Sequence, residues 1–384
     1  MAEGRRRILF YSNLFPDTDS PTRGIHNARV LEHLSEHVDL RVISPRPCLP
    51  WKRKHFNSVD EYQDWSPIYP SHYYIPRIGS RWNHLLQSSG VCHEFGHAIT
   101  DFRPDAVIGA WLYPDGCALA HLIQRYQVPF ALIAQGSDVH QYLRNPARRR
   151  AIQDACQGST KIITRSKDLQ ARLEEIGVAS QKITTIYNGV DTELYKPTED
   201  RGPDQPFRFL FVGNLYAIKN PIGLIEAFER VSKGLGKPAT LTLIGDGPLR
   251  NEVQTEIKQR RLGASVQCLG RLPPKSVAEE MRKANCLVVP SLNEGVPNVI
   301  LEAFASGLPV VANAVGGIPE ILSAEEHGIL VRGTRSEALA TAMESAMSSN
   351  FDRKAIRQNA LGFSWQRNTE AYLEIIEEMI ASGR

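Results

Sequence analysis

Short apolar runs alternate with longer amphipathic stretches through the first half of the chain. Apolar residues three and four positions apart mark helix-length segments such as 28–34 and 169–176. The apolar runs between such segments are short enough to be buried strands. These predicted strands are residues 7–12, 38–44, 106–110, 130–134, 161–164 and 183–186. Strand–helix alternation of this kind predicts a parallel sheet that is covered by helices on both faces.

The alternation stops at residues 192–206 and then starts again. This segment carries three prolines and a glycine among charged residues, which is typical of a linker. The predicted strands that follow it are residues 207–212, 239–244, 266–269, 286–289, 309–312 and 329–331. The second half of the chain therefore repeats the architecture of the first.

We predict an α/β protein with two doubly wound domains, residues 1–191 and 207–366. Residues 367–384 are predicted to form a long helix, which could pack back on the first domain. Ligands of open α/β sheets bind at the carboxyl ends of the strands, so a cleft between the two domains is the expected site.

Composition and charge exclude several classes of protein. The chain has 384 residues, of which 42% are hydrophobic and 23% are charged, as in globular proteins. A net charge of +3 does not support a nucleic-acid partner. No apolar run approaches the roughly 18 residues that cross a bilayer, and residues 8–11 are too short for a signal-peptide core. The six cysteines are scattered and are expected to be reduced core thiols. These features predict a cytoplasmic protein.

Two basic stretches depart from the regular pattern. Residues 45–82 contain six prolines and many aromatic side chains, and residues 141–172 contain eight Lys or Arg against two Asp. The basic residues near the start of the first stretch are Arg46, Lys52, Arg53 and Lys54. Both stretches fit a solvated surface as well as a surface that contacts phosphate-bearing lipid head groups or an anionic acceptor. The second interpretation implies peripheral contact with the cytoplasmic face of a membrane.

One short motif suggests a zinc site. In His93-Glu94-Phe95-Gly96-His97 the two histidines have the spacing with which a helix binds zinc. No histidine follows at the spacing of a third helix-borne ligand. The carboxylates that could replace it are Asp101, Asp105 and Asp115. We favour an ordinary helix and keep a zinc peptidase as an alternative.

Other phosphate and metal motifs are weak or absent from the sequence. Asp17-Thr18-Asp19 is a DxD motif, but its position among prolines after the first predicted strand favours a turn. No GxGxxG follows the first predicted strand, and no GxxxxGK[ST] occurs in the chain. Nicotinamide-dependent and P-loop chemistry therefore lose their main support.

The most informative segment is residues 290–320. A predicted strand ends near Pro290, a loop follows, and a helix is predicted to start with Pro297 at its first position. The first N–H groups of this helix and the positive end of its dipole favour an anion such as a diphosphate. Glu294 precedes the helix, and Glu302 lies within it among apolar neighbours. A carboxylate in that position needs hydrogen-bond donors, which sugar or ribose hydroxyls could supply.

These residues resemble a known signature. Glu294 and Glu302, set in the sequence EGVPNVILEAFASGLPVVA, resemble the motif of the retaining GT-B glycosyltransferases of family 4. Further segments match that family in order along essentially the whole chain. They are residues 186–191 (IYNGVD), 211–215 (FVGNL) with Lys219, 245–248 (GDGP), 269–271 (LGR) and 315–320 (VGGIPE). The resemblance implies the GT-B architecture, in which two Rossmann-like domains face each other across a cleft.

The resemblance also implies roles for individual residues. Glu302 would bind the ribose hydroxyls of a nucleotide-sugar, Glu294 would hold the transferred sugar, and Lys219 would neutralise the leaving diphosphate. Several other residues would surround the donor through their main chain. They are Gly213, Asn214, Gly295, Asn298 and Val299 around the diphosphate, Arg271 beside the base, and Gly24 from the first domain. No metal is required, because a lysine and backbone dipoles take its place.

The chain departs from the family pattern at two positions. Asn214 stands where the family usually has an arginine, so one charged contact to the diphosphate is missing. Gln135, in Gln135-Gly136-Ser137-Asp138, stands where a basic residue is common, and it can donate a hydrogen bond but cannot act as a base. Asp138 is a candidate for orienting the acceptor, ahead of His140.

The implied activity is transfer of a hexose from a UDP-, GDP- or ADP-linked sugar to a hydroxyl acceptor. Prolines and aromatic residues before Arg77-Ile78 resemble transferases that act on lipid-linked precursors, so the acceptor is expected to be a glycan or a lipid-linked saccharide of cell-envelope polysaccharide synthesis. The alternatives are a GT-B nucleotide-sugar epimerase or hydrolase, and a catalytically degenerate binding protein.

Overall fold

The computed structural model describes residues 4–49, 55–76, 79, 81–197, 206–234, 238–323 and 325–383. The chain folds into two compact units. The first unit comprises Met1–Asn188 and Gln366–Arg384, and the second comprises Gly189–Trp365. Most of the predicted linker, residues 198–205, lies outside the described residues.

The first unit contains a parallel sheet with six strands in the described residues. The strands of the unit are β1 (Arg7–Tyr11), β2 (Asp39–Ile43), β3 (Arg46–Cys48), β4 (Ser71–Tyr73), β5 (Ala106–Ala110), β6 (Phe130–Ala134), β7 (Lys161–Thr164) and β8 (Ile183–Thr185). The order of the large sheet is β2-β1-β5-β6-β7-β8, while β3 and β4 form a separate parallel pair. Every residue of β5 and β6 is buried, because helices cover both faces.

Helices follow the strands of the first unit in alternation. They are α1 (Ile25–Ser35), α2 (Asn83–Phe102), α3 (Cys117–Ile123), α4 (Ser137–His140), α5 (Pro146–Gly158) and α6 (Lys167–Glu175). The six strands predicted for this half are confirmed, with ends that differ by a residue or two at most.

The second unit repeats this architecture. Its strands are β9 (Phe207–Val212), β10 (Ala239–Ile244), β11 (Val266–Gly270), β12 (Cys286–Val289), β13 (Val310–Asn313) and β14 (Gly328–Val331). Its helices are α7 (Pro221–Gly234), α8 (Arg250–Gln259), α9 (Pro274–Lys283), α10 (Asn298–Ala305), α11 (Ile318–Ile321), α12 (Ser336–Ser348) and α13 (Arg353–Ala360). The sheet order is β11-β10-β9-β12-β13-β14. Successive strands are added on one side of β9 up to β11 and on its other side from β12 onward, so the order switches between β9 and β12. Such a switch point opens a crevice at the carboxyl ends of the two strands.

The last helix, α14 (Trp365–Ser382), belongs to the first unit from Gln366 onward. The guanidinium of Arg6 donates two hydrogen bonds of 2.8 Å to the carboxylate of Glu377. Tyr372 is buried, and the guanidinium of Arg165 lies 5.6 Å from the centre of its ring. The sequence left the packing of this helix open, and these contacts place it on the first unit.

Arg46 corrects the interpretation of the first basic stretch. Its side chain is 1% exposed, and Nη2 lies 2.7 Å from Oδ2 of Asp17. The same guanidinium donates to the carbonyl oxygens of Asn13 and Phe15, each at 2.7 Å. Arg46 is therefore part of the interior, because its charge is paired and its donors are used, and its assignment to a basic surface was wrong. Lys52, Arg53 and Lys54, like Arg77 and Ile78, lie outside the described residues.

The predicted turn at Asp17-Thr18-Asp19 is confirmed. Oδ1 of Asp17 accepts hydrogen bonds from the backbone N–H groups of Asp19 and Ser20, both at 2.9 Å. An aspartate that binds the chain two and three residues ahead closes a turn. The other oxygen of Asp17 is paired with Arg46. Asp17 therefore holds a turn, and both oxygens of its carboxylate are bonded within the first unit.

All six cysteines lie in the described part of the chain, and all are free thiols. Four are buried, as predicted, but Cys92 and Cys268 are exposed, so the prediction of core packing was wrong for these two. Among the helices of the described ranges, none has both the length and the apolar character needed to cross a bilayer.

Candidate active site

Two loops of the second unit meet where β9 and β12 end. The N–H of Leu292 donates to the carbonyl of Ile218 at 2.8 Å. Next to this bond, Nζ of Lys219 lies 2.5 Å from Oε1 of Glu294. Oγ of Ser291 donates to the same oxygen at 2.7 Å. The side chains of Lys219 and Glu294 are 28% and 11% exposed, so the pair opens to solvent on the lysine side.

The loop that carries Glu294 is fixed from β13 and the turn after it. Nδ2 of Asn313 donates to the carbonyl oxygens of Pro290 and Ser291, at 2.8 and 3.2 Å. Gly316 has a φ of +54°, and a Cβ there would lie 1.7 Å from the carbonyl oxygen of Glu294. A side chain at position 316 is therefore excluded by both the backbone conformation and the contact. The position of Glu294 depends on this close approach.

Helix α10 begins one residue later than predicted. Pro297 is the N-cap residue and Asn298 is the first helical residue. The N–H of Ile300 donates to the carbonyl of Pro297 at 3.0 Å, so one of the N–H groups expected to face an anion is already bonded. Val299 is half-buried in the first turn, and Glu302 is half-buried on a helix whose other inner residues are fully buried.

The loops after β9, β10 and β11 pack against one another at the same edge of the sheet. The N–H of Gly213 donates to the carbonyl of Ile244 at 2.9 Å, and the N–H of Gly245 donates to the carbonyl of Gly270 at 2.8 Å. A Cβ on Gly245 would lie 1.9 Å from the carbonyl oxygen of Gly213. Asn214 and Arg271, which follow directly in these loops, are exposed. The structure therefore brings the donor-binding candidates of the second unit to the carboxyl edge of one sheet.

The candidates of the first unit form a separate cluster. Nε2 of Gln135 donates to Oδ1 of Asn27, and Nδ2 of Asn27 donates to the carbonyl of Leu14 at 2.8 Å. Gly24 precedes α1 with a φ of +60°, and a Cβ there would lie 2.0 Å from the same carbonyl oxygen of Leu14. Gly24 and Gln135 thus lie on either side of Asn27, at the carboxyl ends of β1 and β6.

Asp138 is fully buried beneath this cluster. Its carboxylate accepts backbone N–H groups from Leu112 at 2.9 Å, Gln135 at 3.1 Å and Gly136 at 2.7 Å. Burial raises the pKa of Asp138, and these backbone hydrogen bonds act in the opposite direction. In this structure its oxygens are bonded to the chain, so Asp138 fixes the turn between β6 and α4.

Asp115, which the sequence offers only as a possible zinc ligand, is a buried carboxylate at the carboxyl edge of the first sheet. It is fully buried after β5 and accepts from Ser12 Oγ at 3.0 Å, from the N–H and Nδ2 of Asn13 at 2.7 and 3.0 Å, and from Gln87 Nε2 at 2.9 Å. Burial raises its pKa to about 6, although the hydrogen bonds lower it. An aspartate five residues after an entirely buried strand, at the end of a further apolar stretch, was the available sign of such a carboxylate.

The zinc alternative is not supported by the described residues. His93 and His97 are exposed on α2, with ring centroids 4.6 Å apart. In the ranges that the structure describes, no three His, Cys, Asp or Glu side chains are grouped so that they could hold a metal ion. Asp115, a carboxylate that could have completed the zinc site, is buried and accepts hydrogen bonds from Ser12 and Gln87 instead. The prediction of an ordinary helix is confirmed, because α2 runs through the motif without interruption.

Part of the second basic stretch is engaged within the first unit. The guanidinium of Arg148 lies 5.2 Å from the ring centre of Tyr113 and 4.5 Å from that of Tyr142. Arg165 is 5% exposed, and Arg172 pairs with Asp168 at 3.1 Å. Arg144, Arg149 and Arg150 are exposed. Arg165 of this stretch is therefore interior, while Arg144, Arg149 and Arg150 remain at the surface.

Comparisons with known proteins agree with this geometry. Residues 24–194 match the Glycosyltransferase Family 4 domain, and residues 197–362 match the Glycosyl transferases group 1 domain. The chain is 29% identical over 307 residues to the uncharacterized glycosyltransferase MJ1178 of Methanocaldococcus jannaschii, covering 77% of this chain and 83% of that protein. It is 24% identical over 359 residues to a Bacillus subtilis protein named as a teichuronic acid biosynthesis glycosyltransferase, TuaC, covering 88% of each.

Solved structures show the same fold. The sucrose-phosphate synthase (tll1590) from Thermosynechococcus elongatus has a TM-score of 0.80 at 19% identity, covering 99% of this chain and 100% of that chain. Anabaena Alr3699/HepE in complex with UDP has a TM-score of 0.74 at 17% identity, covering 97% and 100%. The same Anabaena protein has also been solved with UDP-glucose. At these identities the likeness shows the fold, and the predicted GT-B architecture is confirmed.

Proposed function

The chain is a glycosyltransferase with a family 4 domain followed by a group 1 domain, and we propose that it moves a hexose from a nucleotide-sugar to a hydroxyl acceptor with retention of configuration. The observation that carries the proposal is the Lys219–Glu294 pair, 2.5 Å apart at the carboxyl edge of the second sheet. The pair offers a cation and a carboxylate side by side, next to the first turn of α10. A nucleotide-sugar has a matching arrangement, because its anionic diphosphate is bonded directly to a sugar rich in hydroxyl donors.

Each part of the donor has a partner in this arrangement. Lys219 would bind the diphosphate through its ammonium group. The main chain of Gly295, Asn298 and Val299 would bind it as well, together with the positive end of the α10 dipole. Glu294 would accept hydrogen bonds from the transferred sugar. Glu302, eight residues further along, would accept from the ribose. Because a lysine and backbone N–H groups can neutralise the diphosphate, the proposed transfer needs no metal ion.

The nucleoside of the donor is proposed to be uridine. The structural neighbour from Anabaena binds UDP and UDP-glucose, and its fold matches that of this chain. The loops of Gly213, Asn214 and Arg271 lie at the same sheet edge as Lys219 and would border the diphosphate and the base. Asn214 is uncharged, so charge neutralisation would depend mainly on Lys219.

The proposed reaction proceeds by positioning and electrostatic stabilisation. The bond between the anomeric carbon and the diphosphate oxygen breaks, while the acceptor hydroxyl bonds to the same face of that carbon. The acceptor proton passes to the departing phosphate oxygen, so no protein base is consumed. Gln135 would donate a hydrogen bond to the sugar or the acceptor, and Asp138 would hold the turn that positions Gln135.

The acceptor is proposed to be a saccharide or lipid-linked saccharide of cell-envelope polysaccharide synthesis, reached from the cytoplasmic side of the membrane. The relative from Bacillus subtilis is named for teichuronic acid biosynthesis, which supports this class of acceptor. The need for an acceptor also distinguishes the proposed transfer from the reaction of an epimerase or hydrolase, which would act on the donor alone.

The first test is thermal unfolding with UDP-, GDP- and ADP-linked hexoses, each measured with and without a chelator. A ligand at 100 times its dissociation constant adds about 2.7 kcal/mol to the free energy of unfolding. We expect UDP-hexoses to raise the melting temperature whether or not the chelator is added. A shift with another base would overturn the uridine assignment, and a shift that the chelator abolishes would overturn metal independence.

The second test removes the paired charges. Lys219→Ala and Glu294→Ala are each expected to lower turnover by roughly 100-fold, as the loss of one electrostatic contact to the transition state does. Lys233→Ala is the matched control, because Lys233 is an exposed lysine of the same unit paired with Glu229 at 2.7 Å. Near-normal turnover in either site variant contradicts the site. Binding of the donor by the wild type without turnover identifies a degenerate binding protein, and sugar release without acceptor identifies a hydrolase.

A further inference from the structure

Asn27 is a buried polar side chain to which the proposed transfer gives no role. It lies in the first turn of α1 and is 2% exposed. Its Nδ2 donates to the carbonyl of Leu14 at 2.8 Å, and its Oδ1 accepts from Nε2 of Gln135. Asn27 therefore connects the loop after β1 to the residue that follows β6.

The sense of these two hydrogen bonds is fixed by the backbone. A carbonyl oxygen only accepts, so the amide of Asn27 turns Nδ2 toward Leu14 and Oδ1 toward Gln135. An oxygen in that position requires a donor, so the amide of Gln135 in turn presents Nε2 to Asn27. A glutamine amide has two N–H groups and one oxygen. Within the described residues, the second N–H and Oε1 of the half-buried Gln135 remain available to a ligand.

The carbonyl of Leu14, which sets this sense, is itself held in place. A Cβ on Gly24 would lie 2.0 Å from its oxygen, so α1 approaches the carbonyl as closely as a glycine allows. The N–H of Leu14 donates to Oγ of Ser12 at 3.1 Å, and this Oγ donates to the buried Asp115 at 3.0 Å. The loop after β1 thus presents one carbonyl in a fixed position to Asn27.

The backbone of Gln135 is restrained separately from its side chain. Its N–H donates to Oδ1 of Asp138 at 3.1 Å, and the N–H of Gly136 donates to the same oxygen at 2.7 Å. These bonds fix where the chain leaves β6, but they do not fix the torsions of the Gln135 side chain. The bond to Asn27 restrains the end of that side chain, so much of its conformational entropy is lost before a ligand binds.

Building on the proposed function, in which Gln135 contacts the sugar or the acceptor, we propose that Asn27 is a positioning residue for Gln135. It holds Nε2 against its own Oδ1, so that Oε1 accepts a hydrogen bond from a saccharide hydroxyl while the second N–H donates to another. A saccharide with adjacent hydroxyls matches this pair, because each hydroxyl can both donate and accept. The amide is ordered in advance, so binding it costs less entropy.

The first test observes the amide directly, through the side-chain N–H signals of isotope-labelled glutamine in NMR spectra of the intact protein. Gln135→Ala assigns the Gln135 signals by their absence. In the wild type we expect these protons to exchange slowly with solvent. In Asn27→Ala the signals should move toward those of an unrestrained glutamine, with faster exchange. Unchanged signals in Asn27→Ala overturn the proposal, whether or not the protein turns over a donor.

Asn83→Ala is the matched control. Asn83 is 1% exposed in the first turn of α2, and its amide pairs with the N–H and the carbonyl of Ile75 at 3.0 and 3.1 Å. Both variants remove two hydrogen bonds of a buried asparagine and should lower the melting temperature. Only Asn27→Ala should alter the Gln135 signals, and an equal change in Asn83→Ala overturns the proposal. If Asn27→Ala does not fold, Asn27→Leu replaces it, because leucine fills a similar volume without hydrogen-bonding atoms.

The second test is a double-mutant cycle on the release of UDP from UDP-glucose, with octyl glucoside as the saccharide acceptor. Asn27→Ala and Gln135→Ala are each expected to lower kcat/KM about tenfold, within the range of networked hydrogen bonds. Because Asn27 acts through Gln135, the double variant should lose no more than Gln135→Ala alone, within about twofold. Losses that multiply to roughly 100-fold show independent roles and overturn the positioning role alone. Absence of UDP release by the wild type counts against the proposed function, while the NMR signals still decide whether Asn27 holds Gln135.

Discussion

Replacing Gly316 by alanine is expected to displace Glu294 while the second unit stays folded. The new Cβ would lie 1.7 Å from the carbonyl oxygen of Glu294, whereas real Cβ atoms essentially never approach within 3.0 Å of such an atom. The difference is 3.0 − 1.7 = 1.3 Å, so the loop that carries Glu294 must retreat by at least about this distance. The hydrogen bond from Gly317 N–H to Gly295 C=O, 2.9 Å long, lies beside the contact and would be strained with it.

Two costs contribute to this substitution, and a second glycine separates them. An alanine forced to a left-handed conformation costs about 1–2 kcal/mol, and Gly316 has a φ of +54°. Gly333 in the same unit also has a positive φ, +93°, but a Cβ there would meet no heavy atom of the described residues within 4 Å. Gly333→Ala therefore carries a backbone cost without the displacement of a loop.

The assay is kcat/KM for donor turnover, measured beside thermal unfolding for both variants. A misplacement of about 1 Å at reacting groups can cost roughly 100-fold in rate. We expect a loss of this size in Gly316→Ala and a nearly unchanged value in Gly333→Ala, while the melting temperature falls in both variants and further in Gly316→Ala, which also displaces a loop. Equal activity in the two variants would refute the argument that this contact positions Glu294.

Three further results are expected. The pKa of Asp115 is raised from 3.8 to about 6, so as the pH rises the unfolded state loses this proton before the folded state does. The free energy of unfolding therefore falls between these two pH values, by about 3 kcal/mol in total. Chemical denaturation of Asp115→Asn should not show this fall, and a pH profile equal to that of the wild type would contradict the raised pKa. Asp17→Asn should cost about 3–5 kcal/mol in denaturant unfolding because it leaves Arg46 buried without its counter-charge, and a loss below about 1 kcal/mol would show that the pair is not enclosed. Cys92 and Cys268 should react with a thiol reagent in the folded protein, as counted by mass spectrometry, whereas labelling of more than these two would show that the buried thiols are accessible.

The strands of the two large sheets could be predicted because each is a mainly apolar run of strand length, whereas the short strands β3 and β4 are polar and were not predicted. β5 and β6 are buried along their whole length, so every residue carries the hydrophobic pattern. The start of α10 was misplaced by one residue, because proline favours the first helical position, whereas Pro297 has an extended backbone (φ −73°, ψ 122°) and is the N-cap. The position of the donor-site candidates at the carboxyl edge of the second sheet could also be predicted, because their motifs follow predicted strands.

Residues whose role depends on distant partners could not be predicted. Arg46 is buried by contacts with residues 29 to 33 positions earlier in the chain, and no local pattern distinguishes it from an exposed arginine. Asp115 is enclosed by Gln87 and by residues near β1, which only the fold brings together. The approach of Gly316 to Glu294 spans 22 residues. The sequence indicates which residues carry chemistry, while the fold decides which of them are enclosed.

The attachment of α14 to the first unit has a consequence for synthesis on the ribosome. Residues Gly189–Trp365, 177 in number, are translated between the two parts of the first unit. At about 5–20 residues per second, this interval lasts roughly 10–35 s. During it the second unit can close, while the first unit still lacks Tyr372, Ile375 and Ile376, which are buried in the finished protein. The first half of the chain to be made is therefore the last to be completed, and its exposed apolar surface is the part that molecular chaperones have to protect.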